Sequence, residues 1–325
     1  MNRTYYLVCD YRERAYDSGS LNWEDHYSLT SINDLIETIN LLGFDCKYFG
    51  GIGELISALE KNDYDRNGIY LNFNDGIIAN SKRGQTPLLL ELMDVEYSGS
   101  SPLTHLLISN KYYTNKYLEN NKKDIHIPQN VLINDFNLKQ IKDLKYPIII
   151  KPNDEGSSLG ITENSMCLDY QSAIKQYKLL KPFKNILAQE FIKGYEITNY
   201  FVRSRKGVFL LNELLVISKG CSPKMDNNIF TANDKLFHRR NYYNPILFLK
   251  EEEIRTIKSA TEYIANEFDI LTIGRIDYKY FNKNLFFIEA NTIPAFSKSS
   301  EIGELCRFYN ITYEEIVMKL LQSLH

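Results

Sequence analysis

The chain has little of what marks a secreted, membrane-spanning or nucleic-acid-binding protein. Its five cysteines, Cys9, Cys46, Cys167, Cys221 and Cys306, are widely separated, odd in number and include no C-x-x-C pair. That argues against a disulfide framework or a thiolate metal site and leaves reduced, buried thiols. No stretch reaches the roughly 20 apolar residues of a membrane span. Met1–Asp10 has only a short apolar run before charges begin, unlike a signal peptide. The chain therefore reads as soluble and cytoplasmic, with no membrane partner. Lysine plus arginine number 38 against 41 aspartates and glutamates, a formal charge of −3. Electrostatic capture of nucleic acid has no support in that balance. Neither G-x-x-x-x-G-K-[ST] nor G-x-G-x-x-G occurs, which removes a Walker loop and a dinucleotide fold. His26, His105, His126, His238 and His325 share no metal-ligand spacing and read as structural or solvent-exposed.

What is present is an α/β pattern long enough for two or three packed subdomains. Tyr5–Cys9 reads as a buried strand. Ile32, Leu35, Ile36, Ile39 and Leu42 recur at helical spacing, with Ser31 as the N-cap and Gly43 as the stop. Asp45–Phe49 and Gly68–Leu71 are further strands, Pro87–Leu92 continues a helix, and Tyr97–Pro102 is a loop cluster. This order favours a parallel sheet. A second block, 102–184, holds a helix around Ser109–Asn120, a strand at Pro147–Lys151 and a helix at Leu168–Leu180. The third, 185–325, opens on strands Ile186–Phe191, Glu196–Arg203 and Val208–Ile217. A helix at Glu251–Phe268 and a hairpin, Ile273–Tyr280 with Leu285–Ala290, follow. The chain closes on a helix opened by the capping box Thr312-x-x-Glu315.

Chemistry concentrates in that hairpin. Arg275 and Asp277 are two apart on one strand, Glu289 and Asn291 two apart on the next, so each pair shares a face. If the strands pair, three oxygen donors and a guanidinium converge. Asp, Glu and Asn oxygens suit magnesium, and an arginine beside them suits a transferring phosphoryl group or a developing oxyanion. The competing reading is a solvent-facing hairpin with a structural Arg–Asp pair. A second segment, Lys151-Pro-Asn-Asp-Glu-Gly-Ser-Ser-Leu-Gly160, sets a lysine at a strand end before a loop whose glycines and hydroxyls can approach phosphate oxygens. Alone, such a segment is more often a plain loop.

Together these segments resemble the ATP-grasp ligases, specifically the D-alanine–D-alanine ligase group, over nearly the whole chain. The motifs run in that family's order: Tyr97-Ser-Gly-Ser100, Lys111, Lys151-Pro to Glu155-Gly-Ser-Ser158, Gln189-Glu-Phe-Ile-x-Gly-Tyr-Glu196, Gly274-Arg-Ile-Asp277 and Glu289-Ala-Asn-Thr-Ile-Pro294. The resemblance implies an ATP-grasp fold in three parts: an N-terminal parallel-sheet domain at 1–101, a small subdomain at 102–184, and a C-terminal subdomain with the metal site at 185–325. It implies ATP and two magnesium ions (manganese as a substitute), with Asp277, Glu289 and Asn291 as metal ligands and Glu289 bridging. Lys111 and Lys151 would contact ATP, and Ser157 and Ser158 would lie in a loop closing over the phosphates. Gln189 would read the adenine amino group, Glu190, Phe191 and Ile192 would form the adenine hinge, and Glu196 would bind the ribose. Lys235 would sit near the γ-phosphate, and Arg275 would stabilise charge on an acyl-phosphate and a tetrahedral intermediate. Glu24 aligns with the acidic residue that holds the first substrate's ammonium group. Ala295 and Ser300 align with substrate-facing positions, Ser300 where the second substrate's carboxylate binds. Pairing of N-terminal domains into a homodimer is implied too.

The departures from the family pattern fall toward the substrates. Asn72-Phe-Asn-Asp-Gly76 replaces a glycine-rich histidine motif, Leu236 replaces a tyrosine after Lys235, and Pro294-Ala-Phe-Ser297 replaces Pro-Gly-Met-Thr. His238-Arg239-Arg240 is a basic cluster that suits either phosphate, an acidic substrate or plain solvation. The reading is an acid–amine ligase acting through an acyl-phosphate on amino acids or a small peptide other than two D-alanines. An authentic D-alanine–D-alanine ligase is the alternative, and a non-catalytic ATP-binding relative comes third.

Overall fold

The computed structural model describes residues 3–13, 26–77, 81–119, 125–218, 229, 231, 234 and 240–325. Three sheets organise them. The first comprises β1 (Tyr5–Val8), β2 (Cys46–Gly50), β3 (Ile69–Asn72) and β4 (Glu96–Tyr97), all parallel in the order β2-β1-β3-β4. Its connecting helices are α1 (Leu29–Leu41), α2 (Ile52–Lys61) and α3 (Lys82–Leu92). The cap of α1 is Ser28 and not Ser31: the Ser28 hydroxyl accepts from the Ser31 N–H at 3.2 Å, so the helix starts a turn earlier than the apolar spacing implies.

Two short helices, α4 (Pro102–Ser109) and α5 (Lys111–Glu119), lead out of this sheet. The sequence reading placed a single helix at 109–120. In fact Ser101 caps α4 with Pro102 in its first turn, and Asn110, in extended conformation, breaks the run. The second sheet is antiparallel, ordered β5-β8-β6-β7, from β5 (Asn130–Ile133), β6 (Ile148–Pro152), β7 (Met166–Cys167) and β8 (Ile186–Glu190). Helix α6 (Tyr170–Leu179) packs on it through Ala173 and Tyr177, beside Ile148, Ile150 and Ala188. Because β8 bonds to both β5 and β6, we propose a subdomain boundary between Glu190 and Tyr195 in place of 184.

The third sheet is antiparallel, β11-β10-β9-β12-β13, built from β9 (Tyr195–Arg203), β10 (Phe209–Ser218), β11 (Asn241–Tyr243), β12 (Thr272–Phe281) and β13 (Asn284–Asn291). Helix α7 (Glu251–Glu267) covers one face, burying Ile257, Ala260 and Ile264 against Phe201, Ile276 and Tyr278. On the opposite face Tyr200, Val202 and Ile273 join a core that also contains Leu7, Leu71, Ile32 and Leu35 of the first unit. The closing helices α8 (Glu301–Tyr309) and α9 (Tyr313–Gln322) complete that core. Ile316, Val317, Leu320 and Leu321 of α9 are buried, each contributing about 1.5–3 kcal/mol of apolar burial. One core therefore joins the first sheet to the third.

Candidate active site

The hairpin forms as its sequence implies. Asn282 and Lys283 both take positive φ, 49° and 63°, the conformation of a two-residue turn whose twist matches its strands. Arg275 lies opposite Asn291 and Asp277 opposite Glu289. The register then shifts, with Tyr278 opposite Phe287, leaving Ile288 as an extra residue. This bulge lets Glu289 face the cleft while Phe287, two residues earlier, turns into the core with Tyr278, both fully buried. A solvent-facing hairpin is thereby excluded: Arg275, Asp277 and Glu289 side chains retain only 18%, 15% and 25% of their exposure.

The Arg275 guanidinium grips Asp277 with both arms, Nε to Oδ1 at 3.0 Å and Nη2 to Oδ2 at 2.8 Å. Thr198, opposite Asp277 on β9, donates its hydroxyl to Oδ1 at 2.6 Å, and the Asn291 amide reaches Oδ2 at 3.4 Å. Glu289 lies 3.8 Å from Arg275 and 3.5 Å from the Lys111 ammonium. The two carboxyls split. Burial pushes Asp277 up to about 6, with the Glu289 charge adding and Arg275 opposing. Burial also raises Glu289, but Lys111, Lys151 and Arg275 outweigh it and hold the group at about 2.

Gly274 makes this strand pairing possible. A Cβ there would sit 2.2 Å from the Phe201 ring on β9. Gly274→Ala is expected to cost about 1–3 kcal/mol of stability and to displace Arg275 and Asp277 next to it. Chemical denaturation with circular dichroism would measure the loss.

Lys151, at the end of β6, is 4% exposed and makes no ion pair within 4 Å among the described residues. Burial, with nearby Lys111 adding, pulls its ammonium down to about 8. Lys111 donates to the Glu155 carbonyl at 2.5 Å, and Lys82 reaches the Glu155 carboxylate at 3.1 Å, so both brace the segment after β6. Ser157 and Ser158 in that segment adopt φ of 49° and 60°, a strained backbone for serine. The Ser158 hydroxyl accepts from Arg240 at 3.4 Å.

On the neighbouring strand β8, Gln189 is 2% exposed and its Nε2 has no partner among the described residues. A side-chain amide presents one donor end and one acceptor end, which suits the adenine edge with its amino group and ring nitrogen. At the hinge, the Glu190 and Phe191 N–H groups are already donated to Gln129 and Pro147 carbonyls. A ligand there has to use the carbonyl oxygens or Ile192. Glu196 pairs with Lys279 at 2.9 Å. Lys151, which makes no ion pair within 4 Å among the described residues, and the Gln189 amide lie on adjacent strands, β6 and β8, and fit a nucleotide polyphosphate and base. The Asp277–Glu289–Asn291 oxygens fit magnesium, although no cluster of three His, Cys, Asp or Glu side chains occurs among the described residues.

Glu24 and Lys235 lie outside the described residues, as do Leu236 and His238. Ser300 caps α8, accepting from the Ile302 N–H at 3.3 Å, and donates to the Ser297 carbonyl at 2.7 Å; Ala295 is half-buried beside it. Asn74, one of the departures, lies in a buried turn. It is fully buried, its Oδ1 accepting from the Gly76 N–H and its Nδ2 donating to Asp10. Of the histidines, His26 bonds the Asp10 carbonyl, and burial pushes His105 down to about 3. Cys9, Cys46, Cys167 and Cys306 are free thiols, three of them buried. Residues whose place in the site was not read from the sequence are Thr198, Tyr200 and Glu301; Arg240 belongs to the basic cluster already noted and reaches Ser158. Alternation along β9 places Thr198 and Tyr200 on one face, but their meeting with Asp277 and Arg275 depends on a register between distant strands.

A family model for the D-ala D-ala ligase C-terminus matches residues 115–322. The chain is 24% identical over 309 residues to a D-alanine–D-alanine ligase of Petrotoga mobilis, covering 94% of this chain and 96% of that one. It is 26% identical over 324 residues to one of Buchnera aphidicola, with 94% and 96% covered. Among solved structures, a D-alanine–D-alanine ligase from Bacillus anthracis complexed with ATP superposes with a TM-score of 0.75 at 17% identity, covering 100% of this chain and 97% of that one. A D-Ala:D-Ser ligase from Enterococcus faecalis, VanG, gives 0.75 at 18% identity with 100% of both covered.

Proposed function

This chain belongs to the D-alanine–D-alanine ligase family of ATP-dependent carbon–nitrogen ligases with an ATP-grasp fold, and we propose that it joins two small amino acids through an acyl-phosphate, D-alanine being the first pair to test. The observation that carries the chemistry is the buried set of Arg275, Asp277, Glu289 and Asn291 near the buried Lys151. A carboxylate is a poor electrophile. In the first step its oxygen attacks the γ-phosphorus of ATP, the bond to the β-phosphate oxygen breaks, and ADP leaves. In the second a neutral amine attacks the acyl carbon, the tetrahedral intermediate collapses, and inorganic phosphate departs with the bonding pair. Lys151 and Lys111 hold phosphate oxygens, and Arg275 neutralises charge on the acyl-phosphate and the tetrahedral oxygen. Ser157 and Ser158 shield the site from water. Asp277, Glu289 and Asn291 would hold two magnesium ions, which would supply charge neutralisation at the phosphates.

The names of the relatives support D-alanine on both sides and reverse the order favoured by the sequence alone. Of the departures that suggested another pair, Asn74 is committed to a buried turn. A different acid or amine is the second reading, supported by Ala295 in place of the family's glycine and by the charged Glu301 beside Ser300. Glu24 as the ammonium partner and Lys235 as a phosphate ligand remain part of the proposal. So do a cytoplasmic setting, where ATP is supplied, and a homodimer. The test is magnesium-dependent ADP release with D-alanine alone, then with paired amino acids and dipeptides. Release with D-alanine supports the first reading; release only with another pair supports the second; ATP binding without turnover for any pair contradicts both.

Lys151 provides a pH test. Its ammonium titrates at about 8 in the free protein, and bound phosphate favours the charged form. ATP affinity is therefore expected to fall as pH rises through that value, by up to about ten-fold per pH unit, with proton uptake on binding. Calorimetry in two buffers of different ionisation enthalpy would read the uptake, and Lys151→Met should abolish it.

A further inference from the structure

Glu301 opens α8 directly after its Ser300 cap and is only 8% exposed. The N-terminus of α8 stabilises its charge, but a buried carboxylate still costs several kcal/mol unless both oxygens are partnered. Its partners lie on two strands of the cleft floor. Oε2 accepts from the Tyr200 hydroxyl of β9 at 3.2 Å, and Oε1 from the Tyr242 hydroxyl of β11 at 3.1 Å. Arg240 stands 3.8 Å from Oε1, and its other arm donates to Ser158. Tyr200 in turn lies beneath Arg275, the guanidinium carbon 5.8 Å from the ring centroid, and its oxygen accepts from Arg275 Nη1 at 3.5 Å.

A tyrosine hydroxyl has one hydrogen to donate. Given to Glu301, it leaves the oxygen lone pairs aimed at Arg275. Arg275 then has Nε and Nη2 fixed by Asp277 and Nη1 fixed by Tyr200. We propose that Glu301 is a positioning residue for Arg275, acting through the Tyr200 hydroxyl, and that through Arg240 it holds Ser158 in the same arrangement. The catalytic consequence rests on the role given to Arg275 above; the positioning itself does not.

The test uses the full chain without substrate. Nitrogen-15 NMR would follow hydrogen exchange at the Arg275 Nε–H, the resonance being assigned by its loss in Arg275→Lys. Glu301→Gln and Tyr200→Phe are each expected to speed that exchange by about ten-fold, with the double variant no faster than either. With a pair that turns over, both should lower kcat by about ten-fold while KM for ATP stays within about two-fold. A merely structural glutamate would lower the melting temperature without moving the Arg275 exchange. Exchange within about two-fold of wild type in Glu301→Gln, or additive effects in the double variant, would overturn the proposal. Should Glu301→Gln fail to fold, Tyr200→Phe, which keeps the ring and deletes only the bridge, decides alone. If instead Arg275→Met leaves turnover intact, the catalytic reading falls and the exchange measurement still decides the positioning.

Discussion

Glu289→Gln is expected to lower substrate-dependent ADP release by about a thousand-fold, or about 4 kcal/mol of transition-state stabilisation. The substitution keeps volume and shape at a side chain that is 25% exposed, so the fold should persist. What it removes is the charge standing 3.5 Å from Lys111 and 3.8 Å from Arg275, together with a carboxylate oxygen suited to magnesium. The magnesium concentration giving half-maximal turnover should rise by at least about ten-fold, as for the loss of one strong ligand. A variant within about ten-fold of wild-type kcat at the same magnesium dependence would mean that Glu289 only balances charge.

Arg275→Met is the second large effect, and it acts on turnover and stability together. Loss of a guanidinium aimed at developing negative charge costs about a hundred- to a thousand-fold in kcat. Arg275→Lys should fall between, because an ammonium keeps the charge but not the fork that grips both Asp277 oxygens. The stability effect carries a pH signature. Asp277 already titrates at about 6, above its ordinary 3.8. Removing Arg275 takes away an influence that holds it down, so its pKa in the variant lies higher still. A raised carboxyl binds its proton more tightly in the folded state, so stability falls as pH rises through the window above the unfolded value. Hence the melting-temperature gap between Arg275→Met and wild type should be small near pH 5 and widen above about pH 6. At the alkaline end the corresponding loss of stability should reach about 3–5 kcal/mol, as for a broken buried pair. Equal gaps at both ends would place Asp277 in a more polar setting than its neighbours imply.

The hairpin was the most legible part of the molecule because strand alternation is local. Two residues apart means one face, so Arg275 with Asp277 and Glu289 with Asn291 could be grouped from spacing alone, and the pairing brings them opposite one another. The bulge at Ile288 could not be read, since it depends on Phe287 and Tyr278 both finding the core beneath α7. Helix α4 was hidden because Ser-Gly-Ser-Ser-Pro has the chemistry of a loop and of a capped helix start alike, and only Ser101 accepting from Thr104 distinguishes them. The pairing of β8 with both β5 and β6 could not be read, since a five-residue strand records nothing about which sheet edge it will join. Lys151 was found from its position before a Gly/Ser segment, but its near-complete burial was not. Glu301 could be read only as a charged neighbour of Ser300, with no sign of its role. Its burial and both its tyrosine partners arise from the packing of α8 against a sheet whose strands lie 59 to 101 residues away in sequence.

The central claim is that the carboxylate is activated as an acyl-phosphate, and isotope transfer tests it most directly. The acid substrate of whichever pair supports turnover would carry oxygen-18 in both carboxylate positions, with the products resolved by mass spectrometry. One labelled oxygen is expected in inorganic phosphate for each amide bond formed, with ADP as the other product and unlabelled. Label recovered in AMP, or phosphate released without label while the amide forms, would contradict the account.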